Sequence, residues 1–521
     1  MEIDHAQMRD KRNWVVGKVL AAQARMRGDK PFLQFEDGLP QTYSTVDAMA
    51  NRVARGLAKI GVRHGDHVGV FLPNSLEYCY LWFGITRLGA VHVAINAAYR
   101  GHFLSHVLKN ACCKIVVCDP ALRPRVDEIL GELPHPPQVF DSLAPLLDDS
   151  ALPVDAEVSY RDLATIMYTS GTTGPSKGVL MPHAHDYLFG LGVVENLRLT
   201  QDDTYYVCMP LFHANALFLQ VYSTLIAGGR AVIVPKFSAS NWIADIRRYH
   251  CTITNTLGVM TDFILRQPAR PQDAHNALRI VLGVPAPPSL VPTFRVRFGC
   301  HMLEAYGMTE VNIPLYFPLD APPRDGSCGK VYDRYFEVRV VDPDTDEELP
   351  PGEIGEIVVR PREPFAFSLG YHAMPEKTVE AWRNFWFHTG DAGRRDEDGY
   401  FYFVDRIKDC IRRRGENISS YEIESVLTLH PAVAEAAAVA VKSEIAGGED
   451  EVKVCLVLKP GTQVTFEALA DHCLPRMPAF AVPRYFELLD KLPRTPTEKI
   501  QKALLRAAGV AATTWDRLGS R

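Results

Sequence analysis

The sequence predicts an α/β protein with a large N-terminal domain of doubly wound parallel sheets, a β-rich subdomain, and a small α+β C-terminal domain. Three observations carry this. Short apolar runs alternate with segments of helical periodicity through the first three hundred residues; the texture turns to strands and tight turns between Val331 and Arg360; and a compact unit of about 110 residues follows Lys408, a usual size for one domain.

Tyr43 to Ile60 places apolar residues at helical spacing, and Gly61 with Gly65-Asp66 ends the pattern. His67 to Leu72 then reads as a strand, Glu77 to Leu88 as a helix closed by Gly89, and Ala90 to Ile95 as the next strand. Leu104 to Asn110 is helical and Lys114 to Cys118 extended. The Pro- and Leu-rich stretch Glu132–Pro153 reads as a loop excursion, and Ala164 to Met167 as a strand end. The alternation recurs from Tyr205 to Val259, with strand Ala231–Val234 after the Gly228-Gly229 turn. Phe336–Val341 and Gly352–Val359 form the β-rich part. Beyond the boundary at Asp405–Asp409, Ile418 to Leu429 is helical from Ser420, with strands Ala436–Val441 and Val452–Leu458 after it. No repeat or low-complexity tract interrupts the chain.

A hydrophobic fraction of 47% and a charged fraction of 23% over 521 residues are those of an ordinary globular protein. The net charge of −6 argues against nucleic acid as a partner, and the local basic cluster Arg406–Arg414 reads as a nucleotide or hinge element. Eleven cysteines without any C-x-x-C pair suit buried thiols in a reducing cytoplasm. The start of the chain, Met1 to Trp14, is charged and unlike a signal peptide, and no apolar stretch is long enough for a membrane helix.

Residues 168–178 are Ser, Thr or Gly except for Tyr168, Pro175 and Lys177. Glycines let backbone N–H groups turn toward an anion, and hydroxyls with one lysine add donors and charge, so the stretch is built for polyphosphate. It is not a Walker A loop, because Lys177 stands three residues after Gly174 and Gly178 follows where Ser or Thr is required.

Four further strings occur in order: Tyr306-Gly307-Met308-Thr309-Glu310, His388-Thr389-Gly390-Asp391, Asp405-Arg406-Ile407-Lys408-Asp409, and Pro493 to Lys499. Together with the loop they resemble the acyl-adenylate-forming superfamily of AMP-forming acyl-CoA synthetases, luciferases and peptide-synthetase adenylation domains, from Tyr43 to Lys502. Lys236–Ala239 and Glu353–Ile357 resemble the carnitine/crotonobetaine–CoA ligase branch. The resemblance implies ATP, Mg2+ and the co-substrate CoA. It also implies an adenylation domain at 1–405, a hinge at 406–409 and a mobile C-terminal domain at 410–521 that carries a catalytic lysine.

Carried over residue by residue, the resemblance implies that Thr169, Ser170, Gly171, Thr172, Thr173, Gly174 and Lys177 cradle the β- and γ-phosphates. Glu310 would hold magnesium, Thr309 would bond the α-phosphate, and Asp391 would grip the ribose hydroxyls with Arg406 as a second contact. Tyr306 and Gly283–Pro287 would bracket the adenine. Lys499 would stabilise charge as carboxylate and α-phosphate meet, although Glu498 stands where the family usually has glycine. Lys408 occupies the hinge position, and Gly415 would line the pantetheine channel. Asn417 stands where relatives carry an arginine and receives no phosphate role. His213, after Phe212, would gate the acyl pocket or serve as base for the thiol.

The acyl pocket is expected from His213–Gln220, Leu257–Met260, Gly283–Pro287 and Met308–Ile313, with Asn215, Gln220 and Asn312 supplying polar groups, which suits a short or medium, functionalised acid. Glu422 and Glu424 read as solvated helix surface. The leading expectation is an ATP-dependent carboxylic acid–CoA ligase that forms an acyl adenylate and then a thioester. An enzyme loading an acyl carrier protein, a luciferase-like monooxygenase and a non-catalytic nucleotide binder are the alternatives; a chain ending at Arg521 without a fused carrier domain favours a small thiol.

Overall fold

The computed structural model describes residues 8–169, 175–284, 286, 290–324, 326–406, 410–413, 416–443, 450–493, 500 and 502–519. Its first sheet has six strands in the order Gln138–Phe140, Ile115–Cys118, His67–Phe71, Val91–Ala94, Leu163–Thr169 and Lys177–Pro182. The first five run parallel and the last is antiparallel. The second sheet has nine strands, with a parallel centre made of His301–Met308, Ile280–Gly283, Ile253–Thr256, Thr204–Val207, Arg230–Ile233 and Pro31–Phe35.

Two helices explain how the sheets share one core. Leu76–Arg87 is sealed along Tyr78–Thr86, and His183–Asn196 is buried from His183 to Val194. Helices apolar on every side belong inside a layered domain, where no face meets water. Trp14, Trp82, Phe189 and Tyr222 belong to the same continuous core. Local chemistry sets the helix starts: the Thr42 hydroxyl accepts the Thr45 N–H, and the Ser75 hydroxyl that of Tyr78.

The β-rich part is a five-stranded sheet built from Phe336–Val341, Gly355–Pro361, Trp382–Arg383, Trp386–Arg395 and Phe401–Arg406. Beyond it stand a hairpin, Cys410–Arg413 with Glu416–Ser419, and the helix Ser420–Thr428. A four-stranded sheet of Val433–Val441, Glu451–Leu458, Tyr485–Leu488 and Trp515–Asp516 completes the C-terminal domain. Its apolar core is continuous with the outer side of the first sheet: Tyr99, Phe103 and Leu104 share one cluster with Ile411, Ile418 and Ile423.

Two expectations are corrected here. Glu132–Pro153 is more than a loop, since Gln138–Phe140 is the edge strand of the first sheet and Leu143 and Leu146 are buried. Proline frequency hid it, because prolines are tolerated beside an edge strand. Glu422 and Glu424 are not solvated surface, as described below. Among the described residues no helix is long and apolar enough to cross a membrane. Cys112 is exposed, Cys79, Cys113, Cys118, Cys208, Cys251, Cys300, Cys328, Cys455 and Cys473 are buried, and none of these ten forms a disulfide.

The turn Ala144–Leu146 lies directly on the helix Tyr43–Lys59, where a methyl group on Gly56 would fall 1.8 Å from the Leu146 carbonyl oxygen. Gly56→Ala therefore has to displace that turn. It should cost about 1–3 kcal/mol in urea unfolding, a typical overpacking penalty; an unchanged midpoint would contradict the packing.

Candidate active site

The polyphosphate-type loop sits at the tip of the hairpin formed by Leu163–Thr169 and Lys177–Pro182, whose last paired residues are Thr169 and Lys177. Ser170, Gly171, Thr172, Thr173 and Gly174 lie outside the described residues. At the tip, the Thr169 hydroxyl donates to Glu310 Oε1 at 3.2 Å, and the Tyr371 hydroxyl donates to the same oxygen at 3.0 Å. Lys177 Nζ stands 4.1 Å from the centroid of the Tyr371 ring. Glu310 is 4% exposed. Both hydroxyls converge on Oε1, which leaves Oε2 for other partners. A hard, buried carboxylate oxygen in a cluster with Thr169, Tyr371 and Lys177 has the chemistry that would hold a magnesium ion.

The second expected string is held as tightly. Asp391 is buried, and its Oδ2 accepts the Tyr306 hydroxyl at 2.7 Å. Its N–H bonds to the Thr389 hydroxyl, which donates to the Ile357 carbonyl, while Glu356 accepts the Gly390 N–H and pairs with His388. Asp391 faces Arg406 in register across two antiparallel strands. The Arg406 side chain lies outside the described residues, as do the Asn417 side chain, Pro285, Pro287, Lys408, Gly415 and Lys499.

One strand orders these pieces. His301–Met308 carries Glu304 and Tyr306 on one face, since alternate residues of a strand point the same way, and Thr309 and Glu310 follow directly. Glu304 lines a small recess with Ala286, Met302, Phe317 and Arg324. Burial pushes its carboxyl up to about 8, partly offset by the Ala286 N–H, so it keeps a proton at pH 7 and can both donate and accept. The half-buried Thr309 has its carbonyl bonded by His185 Nε2 at 2.9 Å.

Half-buried His213 stands edge-on to Phe212 with ring centroids 4.7 Å apart. It precedes a π-helical segment, Asn215–Tyr222, a rare backbone form that is frequent at functional sites. Asn312 does not serve the pocket. It is 1% exposed, adopts a left-handed φ of 71°, and spends its amide on the His185 carbonyl and the Ile313 N–H. The turn after Glu310 demands positive φ, which Asn tolerates, and that demand placed an amide there.

The C-terminal domain reaches the same hairpin. Ser176 N–H and Oγ both donate to Glu422 Oε1, at 2.8 and 2.6 Å, and the Ser176 carbonyl bonds His106 Nε2 at 2.8 Å. Glu422 is 2% exposed, and burial pushes its carboxyl up to about 7 against the pull of the two Ser176 hydrogen bonds. Glu424 binds Lys502 Nζ at 2.6 Å and accepts the Ala438 N–H. Helical spacing could not reveal this, because Glu422 meets a residue distant in the chain, Ser176, and Glu424 meets the strand and the last helix of its own domain. Tyr371 carried no sequence signal either; Glu304 did, through its strand parity with Tyr306.

The sequence profile of the AMP-binding enzyme family matches residues 20–372, and that of the AMP-binding enzyme C-terminal domain matches 422–499. A crotonobetaine/carnitine–CoA ligase of Salmonella paratyphi A is 32% identical over 508 residues, covering 93% of this chain and 97% of its own. The o-succinylbenzoate CoA synthetase MenE of Bacillus subtilis, bound to a product analogue, superposes with a TM-score of 0.83 at 27% identity, over 94% of this chain and 98% of its own. MenE in its AMP complex covers the same shares at 28% identity but gives a TM-score of 0.68. Equal coverage with unequal scores means that the parts of this chain are arranged more as in the product-analogue complex. The chain belongs to the AMP-binding enzyme family, the acyl-adenylate-forming superfamily that its ordered strings resemble.

Proposed function

We propose that this protein is an AMP-forming carboxylic acid–CoA ligase. The observation that carries the reading is the single run from Glu304 to Glu310, a strand as far as Met308 and the turn that follows it. It aligns a protonated acid beside Ala286, the Tyr306–Asp391 pair, and the Glu310–Thr169–Tyr371 cluster at the loop, in the order base, ribose, phosphates of an extended ATP.

In the first half-reaction a carboxylate oxygen of the acid forms a bond to the α-phosphorus, and the bond to pyrophosphate breaks. Two anions must meet, so positioning and charge neutralisation by this chain carry the step. Lys177, Thr169 and residues 170–174 hold the leaving phosphates, Thr309 bonds the α-phosphate, and Asp391 with Arg406 holds the ribose. Magnesium, when bound at Glu310, supplies further neutralisation of phosphate charge. Lys499 places its ammonium on the meeting oxygens, a task suited to a compact charge on a flexible stem. In the second half-reaction a thiol sulfur attacks the acyl carbon and AMP leaves with the bonding electrons. His213 gates the thiol's approach at the acyl end, and Gly415 leaves room for pantetheine.

Such a division of labour needs a chain that changes shape. We assign 1–405 as the adenylation domain, 406–409 as the hinge and 410–521 as the moving domain; the Ser176–Glu422 contact and the closer likeness to the product-analogue complex support reading the present arrangement as the thioester-forming one. Reduced thiols favour the cytoplasm. The reading is tested by pyrophosphate release with ATP and magnesium across a panel of carboxylic acids, with and without CoA. Acid-dependent release with an acyl-CoA product is expected; release without that product would point instead to a carrier-protein acceptor.

Lys499→Ala should lower acid-dependent pyrophosphate release roughly 100- to 1,000-fold and spare thioester formation from a supplied acyl adenylate. Equal loss in both half-reactions would remove the assignment. Glu310→Ala should shift the magnesium titration of ATP binding to higher concentration, and an unmoved titration would take the metal away from Glu310. Docking of Glu422 takes up a proton, because its carboxyl is raised from 4.5 to about 7 in the docked form. The docked arrangement is thus favoured fully below about pH 4.5 and weakens by up to about tenfold per unit as pH rises toward 7. Small-angle scattering should follow that slope, and Glu422→Gln should flatten it.

A further inference from the structure

The segment expected to line the acyl pocket belongs to a chain of amides whose polarity can be read. Tyr205 Oη lies 2.6 Å from Asn255 Oδ1, Asn255 Nδ2 lies 2.8 Å from Asn215 Oδ1, and Gln220 Nε2 lies 2.9 Å from that same oxygen. Tyr205, Asn255 and Gln220 are buried, whereas Asn215 is half-buried.

The direction of the chain follows from its sealed end. The Tyr205 hydroxyl has Asn255 as its one hydrogen-bond partner among the described residues. If that hydroxyl only accepted, its own proton would be buried with nothing to bond, so it donates. Asn255 must then present Oδ1 to Tyr205 and Nδ2 to Asn215. Asn215 Oδ1 thereby receives two donors, from Asn255 and from Gln220, and its amide cannot turn over without facing two N–H groups with a third. The Asn215 Nδ2 group takes no part in these bonds, and Asn215, two residues beyond His213, is the half-buried member of an otherwise buried chain. The π segment makes this possible: its i→i+5 geometry stacks residues five apart on one face, and Asn215 and Gln220 are five apart. Gln220 Oε1 is buried with no hydrogen-bond partner among the described residues, so the wall also holds an unanswered acceptor behind the donor.

We propose that Asn215 is a specificity-determining residue whose fixed amide N–H donates to an oxygen on the acyl group, so that the substrate is a short carboxylic acid carrying a second oxygen function — hydroxyl, keto or carboxylate — rather than a plain aliphatic acid. The proposal rests on the ligase reading and narrows it. A plain alkyl chain would strip water from Nδ2 and give it nothing in return. An oxygen at that place restores the bond, and discrimination grows from the cost of the unmet donor. Tyr205 acts as a positioning residue, since it touches no substrate and sets the orientation of Asn215 through Asn255.

The test compares kcat/KM for butyrate with those for 3-hydroxybutyrate, 4-hydroxybutyrate, 3-oxobutyrate and succinate, read as acyl-CoA formed. The unmodified protein should prefer at least one oxygenated acid over butyrate by roughly 10- to 100-fold. Asn215→Leu should collapse that ratio to near unity, and Tyr205→Phe should lower it several-fold by freeing the amides to turn over. A preference for butyrate, or a ratio that survives Asn215→Leu, would overturn the proposal while leaving the ligase reading intact. Turnover of no acid, in this set or in the broad panel, would overturn the ligase reading and the proposal with it. Should Asn215→Leu fail to fold, Asn215→Asp replaces it. That carboxylate exchanges a donor for an acceptor, so retained preference for the keto acid over butyrate would equally sink the assignment.

Discussion

The antiparallel pairing of Leu163–Thr169 with Lys177–Pro182 is the contact on which the rest of this molecule depends. It continues a parallel sheet by one reversed strand, and the reversal puts the phosphate-type loop at a sheet edge instead of inside a helix crossover. Each partner of the site is fixed by reference to it. Thr169 and Tyr371 hold Glu310 from one strand end, and Tyr371 is itself carried by a bridge to Val179 on the returning strand. Ser176, one residue before that strand, receives the C-terminal domain. A single hairpin thus links the first sheet, the strand end bearing Glu310 and the C-terminal domain.

Much of this arrangement was legible because motifs with a chemical demand are local. Hydroxyls, glycines and one lysine in a short loop say polyphosphate wherever the chain takes them, and Asp391 needed only a strand with a Gly turn before it. The alternating elements of the first sheet were equally clear, because the 3.6 and 2.0 periodicities are properties of neighbouring residues. What could not be read is what two distant segments do to each other. Glu422 has the helical spacing of a surface residue, yet it is buried and bonded by Ser176, 246 residues away in the chain. Asn312 looked like a pocket amide because it follows Glu310; the positive φ of that turn, invisible in the residue string, turned it toward His185 instead.

The buried acids teach a related point. Glu304 and Glu422 are both raised by burial, yet they stand on different boundaries: one inside the recess beside Ala286, the other between two domains. Desolvation that is permanent tunes a group for recognition. Desolvation that comes and goes with a rigid-body motion couples that motion to protons. The two carboxyls look alike in sequence, and only their neighbours separate the roles.

The π segment Asn215–Tyr222 has a consequence for how this chain could acquire a different substrate. A wide turn of this kind is an α-helix carrying one surplus residue, so removing one residue would let it relax into the ordinary helix. Everything before the deletion would rotate by about 100°, the angle per residue of an α-helix, and Asn215 would swing off the face it shares with Gln220. The selectivity proposed for this wall would therefore depend on the length of the chain as well as on its side chains. A single-codon deletion there would redraw the acyl pocket while every strand of the nine-stranded sheet kept its register.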